Sequence, residues 1–278
     1  MIVAVASGKG GVGKTTVAVN LALAAEEEVT LLDSDVEEPN AHLLLRPEIE
    51  KETPVPLLVP VFHRERCTGC GKCVEVCAYH ALALIGREVL IFDKMCHACG
   101  GCIYFCPEKA LTEGERVIGV LQEGRAGKVR FIQGKMSVGE ALAVPVIKKL
   151  REKQGPNTII DCPPGTSCPV IQAVKGADFC LVVTEPTPFG QHDLRLLVEM
   201  LKVLKVPAGV IINRADLGDE EVEEYCHQEG IPILLKIPFD PVIARSFAVG
   251  VPFVTRLPRW RQAFSDLWQR LKREGVRA

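Results

Sequence analysis

The chain lacks the marks of export and of membrane insertion. Its opening, Met1-Ile2-Val3-Ala4-Val5-Ala6-Ser7, has no basic segment, no long apolar stretch after it and no small-residue cleavage site. No apolar run reaches the roughly eighteen residues that a membrane-spanning helix needs. Net charge is nearly absent as well: 33 Lys and Arg against 35 Asp and Glu leave −2. That balance speaks against a broad nucleic-acid-binding surface, though not against a local basic patch. Twelve cysteines in 278 residues fall well below the density of a disulfide scaffold. We therefore expect a cytoplasmic protein with no nucleic-acid partner and no stable membrane insertion. In such a setting thiols stay reduced, and clustered cysteines hold metal more often than they form disulfides.

What is present is unevenly spread. Eight of the twelve cysteines lie between Cys67 and Cys106, while Cys162, Cys168, Cys180 and Cys226 are scattered. This suggests a cysteine-rich module, residues 60–113, inserted in a host made of residues 1–59 and 114–278. Pro54, Pro56 and Pro60 mark one junction and Thr112-Glu113-Gly114-Glu115 the other. In the host, the short apolar stretches Val3–Ala6, Val29–Leu32, Thr158–Ile160, Phe179–Val183 and Ala208–Ile212 read as strands buried on both faces. Thr16–Ala25, Gly139–Lys153, Gln191–Leu204 and Glu220–Glu229 read as the intervening helices. The expected fold is α/β, a doubly wound, mostly parallel sheet with ligands at the strands' carboxyl ends.

After the first strand comes Gly8-Lys9-Gly10-Gly11-Val12-Gly13-Lys14-Thr15-Thr16. Gly8, Gly10 and Gly13 match the dinucleotide fingerprint GxGxxG, with Asp33 twenty residues beyond Gly13. The same stretch also matches GxxxxGK[ST]. A dinucleotide site has no need of a lysine and a hydroxyl at those places, whereas a triphosphate–magnesium site does. Backbone amides would cradle the phosphates, Lys14 would neutralise β and γ oxygens, and Thr15 would bind Mg²⁺.

Lys9, a second lysine at the head of the loop, makes the stretch resemble the deviant Walker motif of the MinD/ParA/nitrogenase-iron-protein class of P-loop ATPases. The resemblance implies ATP and Mg²⁺ as cofactors, an ATP-dependent homodimer, and Lys9 as a catalytic residue supplied across it. It also gives roles to later segments. Asp33-Ser34-Asp35 through Asn40 looks like switch I, with Asp35 positioning the attacking water. Asp33 itself, at the end of a strand, is expected only to bond nearby backbone. Ile159-Ile160-Asp161-Cys162-Pro163-Pro164-Gly165 supplies a Walker B carboxylate, Asp161, and a switch II hinge, Gly165. Asn213 is expected to contact adenine, as are Pro238 and Asp240 in the loop Ile237–Pro241.

The insert reads Cys67-x2-Cys70-x2-Cys73-x3-Cys77, then Cys96-x2-Cys99-x2-Cys102-x3-Cys106-Pro107. The doubled CxxCxxCxxxC resembles a bacterial two-cluster ferredoxin, a small α+β ferredoxin-like domain. The resemblance implies one [4Fe-4S] on Cys67, Cys70, Cys73 and Cys106, and a second on Cys96, Cys99, Cys102 and Cys77. Ala78 stands where the first run's proline is usual; structural zinc is the alternative. Ala81–Ile85 and Val89–Phe92 read as a hairpin turning at Gly86, and Tyr104 and Phe105 as packing that keeps water off the second cluster. His97 is expected to tune hydrogen bonding to the sulfurs or to face solvent.

Cys168, seven residues after Asp161, stands at the spacing where nitrogenase-iron-protein members of this class carry a cluster ligand at the dimer axis; that resemblance implies an interfacial metal, cluster or redox site, with four sulfurs in a dimer if Cys162 joins. Trp260, Phe264, Leu267, Trp268 and Leu271 recur at helical spacing and read as core rather than as a membrane-binding tail. The leading functional expectation is an ATPase coupling nucleotide state to electron transfer through two [4Fe-4S] clusters and a redox or iron–sulfur partner. The alternatives are an ATP-dependent cluster carrier or assembly scaffold using Cys168, and a MinD-like positioning switch whose clusters sense redox state.

Overall fold

The computed structural model describes residues 1–274. In chain order the elements begin with β1 (Ile2–Ala6), α1 (Lys14–Ala24), β2 (Val29–Asp33), α2 (Ala41–Leu45) and β3 (Glu48–Phe62). Then come α3 (Lys72–Glu75), β4 (Leu82–Ile85), β5 (Glu88–Ile91), α4 (Gly101–Tyr104), β6 (Leu111–Ala126) and β7 (Val129–Met136). The rest alternates: α5 (Ala143–Arg151), β8 (Thr158–Asp161), α6 (Cys168–Val174), β9 (Phe179–Thr184), α7 (Pro188–Leu204), β10 (Ala208–Asn213), α8 (Glu221–Gln228), β11 (Ile233–Ile237), α9 (Pro241–Ala248) and α10 (Pro258–Glu274).

Nine strands form one sheet in the order β11-β10-β9-β1-β8-β2-β7-β6-β3. The seven from β11 to β7 are parallel; β6 runs antiparallel to β7 and to β3. Side chains alternate across each strand, so one sheet feeds two cores. Ala4 and Ala6 of β1 face the core that α5, α6, α7 and α8 complete. Val3 and Val5 face the opposite core, closed by α1 and α10. The apolar stripe of α10 lies in that second core, with Phe264, Trp268 and Leu271 fully buried. Trp268 Nε1 donates to Glu27 Oε1 at 2.6 Å. Among the described residues no helix is long and apolar enough to cross a membrane.

The expected strands and helices are present with several ends displaced: α1 begins at Lys14 rather than Thr16 and α7 at Pro188 rather than Gln191. α5 begins at Ala143 rather than Gly139; Gly139 sits at φ +80° in the preceding turn. Two features depart further. The proline-rich junction at 54–60 is part of a long strand, β3, paired with β6 from Glu48↔Arg125 to Phe62↔Leu111. Prolines fit there because β3 is the outermost strand, where one side of the backbone has no neighbour to bond. The polar junction 112–115 is likewise strand, within β6. β7 pairs only with residues 119–126 of β6, so the far half of the β3–β6 ribbon extends beyond the sheet. At its end residues 63–110 fold around a small core of their own, which includes Cys67, Cys73, Cys77, Ala81, Leu82 and Val89. There β4 and β5 pair as the hairpin read from the sequence.

Candidate functional site

The glycine loop leaves β1 between its neighbours β8 and β9. Gly13, at φ +95°, turns the chain into α1, a conformation that favours glycine. Gly8 is fixed by crowding, since a Cβ there would lie 2.4 Å from Cβ of Asp193 on α7. Lys14, at the helix start, is buried with its Nζ 2.8 Å from Oδ1 of Asp161 at the end of β8. Burial works against its charge, but Asp161 beside it prevails and raises the pKa. The other oxygen of Asp161, Oδ2, is buried without a hydrogen-bond partner. An orphaned carboxylate oxygen next to a lysine and a hydroxyl-bearing helix start fits a site that takes Mg²⁺ and phosphate.

Asp33 and Asp161 end adjacent strands in register. Asp33 is fully buried and accepts backbone N–H bonds from Asp35 (3.2 Å), Asn40 (3.0 Å) and Ala41 (3.0 Å). It thus ties down both ends of the switch-like loop. Burial, with the charge of Asp161, pushes its carboxyl up. Ser34 bonds the Asp161 carbonyl through its N–H (2.9 Å) and its hydroxyl (2.7 Å). Asp35 is only partly buried; burial raises it to about 6, with Lys14 opposing and Asp161 adding. Gly165, φ +93°, donates its N–H to Ser7 O at 2.9 Å.

Two cavities meet at this loop. One, about 1380 Å³, is lined by Ser7, Gly10, Lys14, Thr15, Asp35 and Asn40, among others. The other, about 770 Å³, is lined by Asn213, Pro238, Phe239, Asp240, Ile243 and Phe247. Gly11, Gly13, Thr16 and Phe247 border both. Most of the loop, Asp35 and the later Asn213, Pro238 and Asp240 are thus brought together. Val12 is buried in the core beneath, and its carbonyl accepts from Asn213 Nδ2 at 2.8 Å. Asn213 therefore also clamps the phosphate loop. Asp240 caps α9 through Val242 N at 2.7 Å. Lys9 is not among the residues lining the phosphate cavity; its Nζ lies 3.7 Å from Glu185, which also binds Arg214 at 2.8 Å. The lining from α9 carries no sequence signal, because isolated apolar residues on a short helix look like any core.

The eight clustered cysteines divide between two further cavities. Cys67, Cys70, Cys73 and Cys106 line one; Cys77, Cys96, Cys99 and Cys102 line another. All are free thiols, Cys70 and Cys99 being exposed. Backbone N–H groups point at sulfur from Gly69 to Cys67 (3.4 Å), Ala81 to Cys77 (3.3 Å) and Ala110 to Cys106 (3.2 Å). Burial pushes the Cys73 thiol up and that of Cys102 to about 11. Among the described residues no three His, Cys, Asp or Glu side chains form a group suited to a single metal ion. Tyr104 and Phe105 do not shield the second cavity as expected: they are 83% and 55% exposed, because α4 turns its cysteine inward and these residues outward. His97 stacks on Tyr79, ring centroids 3.7 Å apart. Cys162 is fully buried, its thiol pushed up to about 12, and so makes no companion for the exposed Cys168 at the start of α6. Cys180 and Cys226 are buried in the core.

A phosphate loop at the head of a parallel sheet, with a carboxylate beside its lysine, defines the class as P-loop nucleotide-binding proteins. Within that class the chain belongs to the CobQ/CobB/MinD/ParA nucleotide binding domain family, whose model matches residues 3–253. An uncharacterized protein of Methanocaldococcus jannaschii is 31% identical, the match covering 98% of this chain and 96% of the relative. The iron-sulfur cluster carrier protein of Aquifex aeolicus is 29% identical over 92% of this chain and 62% of its own length; that of Pyrococcus horikoshii is 26% identical over 91% and 78%. Among solved structures, the septum site-determining protein MinD of Pyrococcus horikoshii, complexed with Mg-ADP, matches with a TM-score of 0.59 at 22% identity, covering 100% of this chain and 98% of that one.

Proposed function

We propose that the protein is an ATP-dependent iron–sulfur protein, a Mg-ATPase of which each chain holds two [4Fe-4S] clusters. The observation that carries this reading is the sorting of eight cysteines into two cavities of four, on a ribbon leading from a nucleotide-binding sheet. Cys67, Cys70, Cys73 and Cys106 would hold one cluster; Cys77, Cys96, Cys99 and Cys102 the other. The fourth cysteine of each run crosses to its sister cavity, as in two-cluster ferredoxins.

For the nucleotide, the amides of Gly10 to Thr16 and Lys14 bind phosphate, and Thr15 and Asp161 hold Mg²⁺. Asp35 orients the attacking water. The base lies between Asn213 and the Pro238–Asp240 loop. Lys9 leaves Glu185 and serves a second copy of the chain in an ATP-dependent homodimer. Mg²⁺ supplies charge neutralisation at the phosphates.

Relatives named as iron–sulfur cluster carriers, matched over more than nine-tenths of this chain, favour ATP-dependent cluster delivery over the electron transfer that led the expectations above. The exposed Cys168 offers an additional thiol for it. Electron transfer remains the second reading, favoured because each cavity already has its four thiols from one chain. Anaerobic, dithionite-reduced protein loaded with ⁵⁵Fe-labelled clusters, freed of excess reductant and mixed in parallel with an apo-ferredoxin and with an oxidised holo-ferredoxin, with and without Mg-ATP, separates the two. Iron moving to the acceptor faster with ATP supports delivery. Iron that stays put while ATP alters the rate of acceptor reduction supports electron transfer. A preparation without iron and sulfide sinks both.

A further inference from the structure

The cysteine module is not simply hung from the ribbon; one partly buried ion pair fastens half of it to the nucleotide domain. Arg116, on the outer part of β6, forms a two-pronged pair with Glu140 through both terminal nitrogens. Its Nη2 also donates to the carbonyl of Asp93 at 3.2 Å. Asp93 lies three residues before Cys96, in the turn that leads into the Cys77/Cys96/Cys99/Cys102 cavity. The side chain of Glu140 is only 4% exposed and that of Arg116 22%. Ala98, beside Cys99, packs against the main core. At the other cavity the guanidinium is a different one: Arg87 donates to the carbonyl of Cys67 and stays within the module.

Glu140 sits on the 137–142 turn after β7, which is tied to both neighbours. Met136 N donates to Val36 O, and Ser137 N to Ile118 O of β6, each at 2.9 Å. Val36 follows Asp35, which lines the phosphate cavity, and is itself buried. It packs so closely that a Cβ on Gly134 would lie 2.7 Å from it. From the phosphate cavity to the second cysteine cavity there is thus a continuous run of bonded groups: Asp35–Val36, Met136–Ser137, Glu140, Arg116, Asp93. The first cavity is reached by backbone alone, along the β3–β6 ladder to Phe62↔Leu111 and through Ala110 N to Cys106 Sγ; no side-chain ion pair links it to the nucleotide domain among the contacts described.

We propose that Arg116 and Glu140 are positioning residues through which the nucleotide loop acts on the Cys77/Cys96/Cys99/Cys102 cluster and leaves the other unaffected. The inference rests on the reading that both cavities hold clusters. Arg116 contributes a positive charge near Cys96, and Glu140 balances it. Cluster potentials follow local charge, so the two substitutions should have opposite effects. In Arg116→Gln a positive charge is lost and the nearby cluster becomes harder to reduce. In Glu140→Gln the guanidinium is unbalanced and the same cluster becomes easier to reduce.

The test is a potentiometric titration followed by electron paramagnetic resonance, on the anaerobic full-length holoprotein, with and without a non-hydrolysable ATP analogue and Mg²⁺. C99S and C70S assign the two transitions to their cavities. The expected result has three parts. R116Q and E140Q shift the C99S-sensitive potential in opposite directions. The C70S-sensitive potential stays where it is. The nucleotide-induced shift of the former, present in the wild type, is lost in both variants. A merely structural pair would move both potentials the same way in both variants, or neither, and that outcome overturns the proposal. Iron and sulfide are assayed first: preparations lacking two clusters overturn the cluster reading itself, whereas two clusters with unmoved potentials overturn only this inference. If R116Q fails to fold, E140Q alone decides by the sign of its shift.

Discussion

Replacing Asp161 by alanine leaves Lys14 without its partner, and the structure lets the cost be worked out. The pair is buried on both sides and 2.8 Å apart. Removing one member of such a pair costs about 3–5 kcal/mol, because the survivor stays buried and charged. Two neighbours bring the expected loss toward the low end, about 3 kcal/mol. Asp33 loses the negative charge that helps to push its carboxyl up, and Asp35 still attracts Lys14. At roughly 2–4 °C per kcal/mol for a chain of this size, D161A should melt roughly 6–12 °C below the wild type without nucleotide. Differential scanning fluorimetry under anaerobic conditions measures it. Saturating ATP gives Lys14 a phosphate partner in place of the carboxylate, so the gap should narrow when ATP is added without magnesium. A variant melting within about 2 °C of the wild type without nucleotide would refute the reasoning, as would a gap that ATP widens.

Three further outcomes are expected. Asp35 is raised to about 6, so folding favours its protonated form; the stability it contributes is full below about 4 and is lost as pH rises through about 6. Urea titrations from pH 4 to 7 should show a shallower decline in D35N, and an identical pH slope counts against the shift. W268A removes a fully buried side chain and the bond to Glu27, a loss of about 3–5 kcal/mol readable by chemical denaturation. The double variant C70A/C73A should reduce iron from about eight to about four atoms per chain and leave the second cluster's spectrum; loss of all iron would show that the two cavities do not fill independently.

The local chemistry was legible because it is written in contiguous residues. The glycine loop, Lys14 and Thr15 form one turn, and each CxxCxxC supplies three thiols from one loop. The assignment of Cys106 and Cys77 to opposite sets follows from family resemblance alone; in the structure Cys106 lines the cavity of Cys67, Cys70 and Cys73, and Cys77 that of Cys96, Cys99 and Cys102. Less legible were the residues whose role depends on what they meet. Tyr104 and Phe105 looked like a shield, but which face of α4 looks outward is set by packing. Asp33 looked like a residue that bonds nearby backbone, and so it is, yet that bonding organises the whole switch-like loop.

The sequence by itself determined the class of sheet, the phosphate loop and the two sets of cysteines, since each depends on spacing along the chain or on a repeating apolar pattern. Only the tertiary structure decided how the parts are joined. β3 and β6 pair along the ribbon that leads to the module, from Glu48↔Arg125 to Phe62↔Leu111, and the prolines that mark its junction are tolerated because that strand lies at an open edge. Lys14 meets Asp161 across 147 positions, and Arg116 meets Glu140 from a different strand and turn. Such partners are chosen by the sheet's order and register, which bring distant residues together and leave no mark in the local sequence.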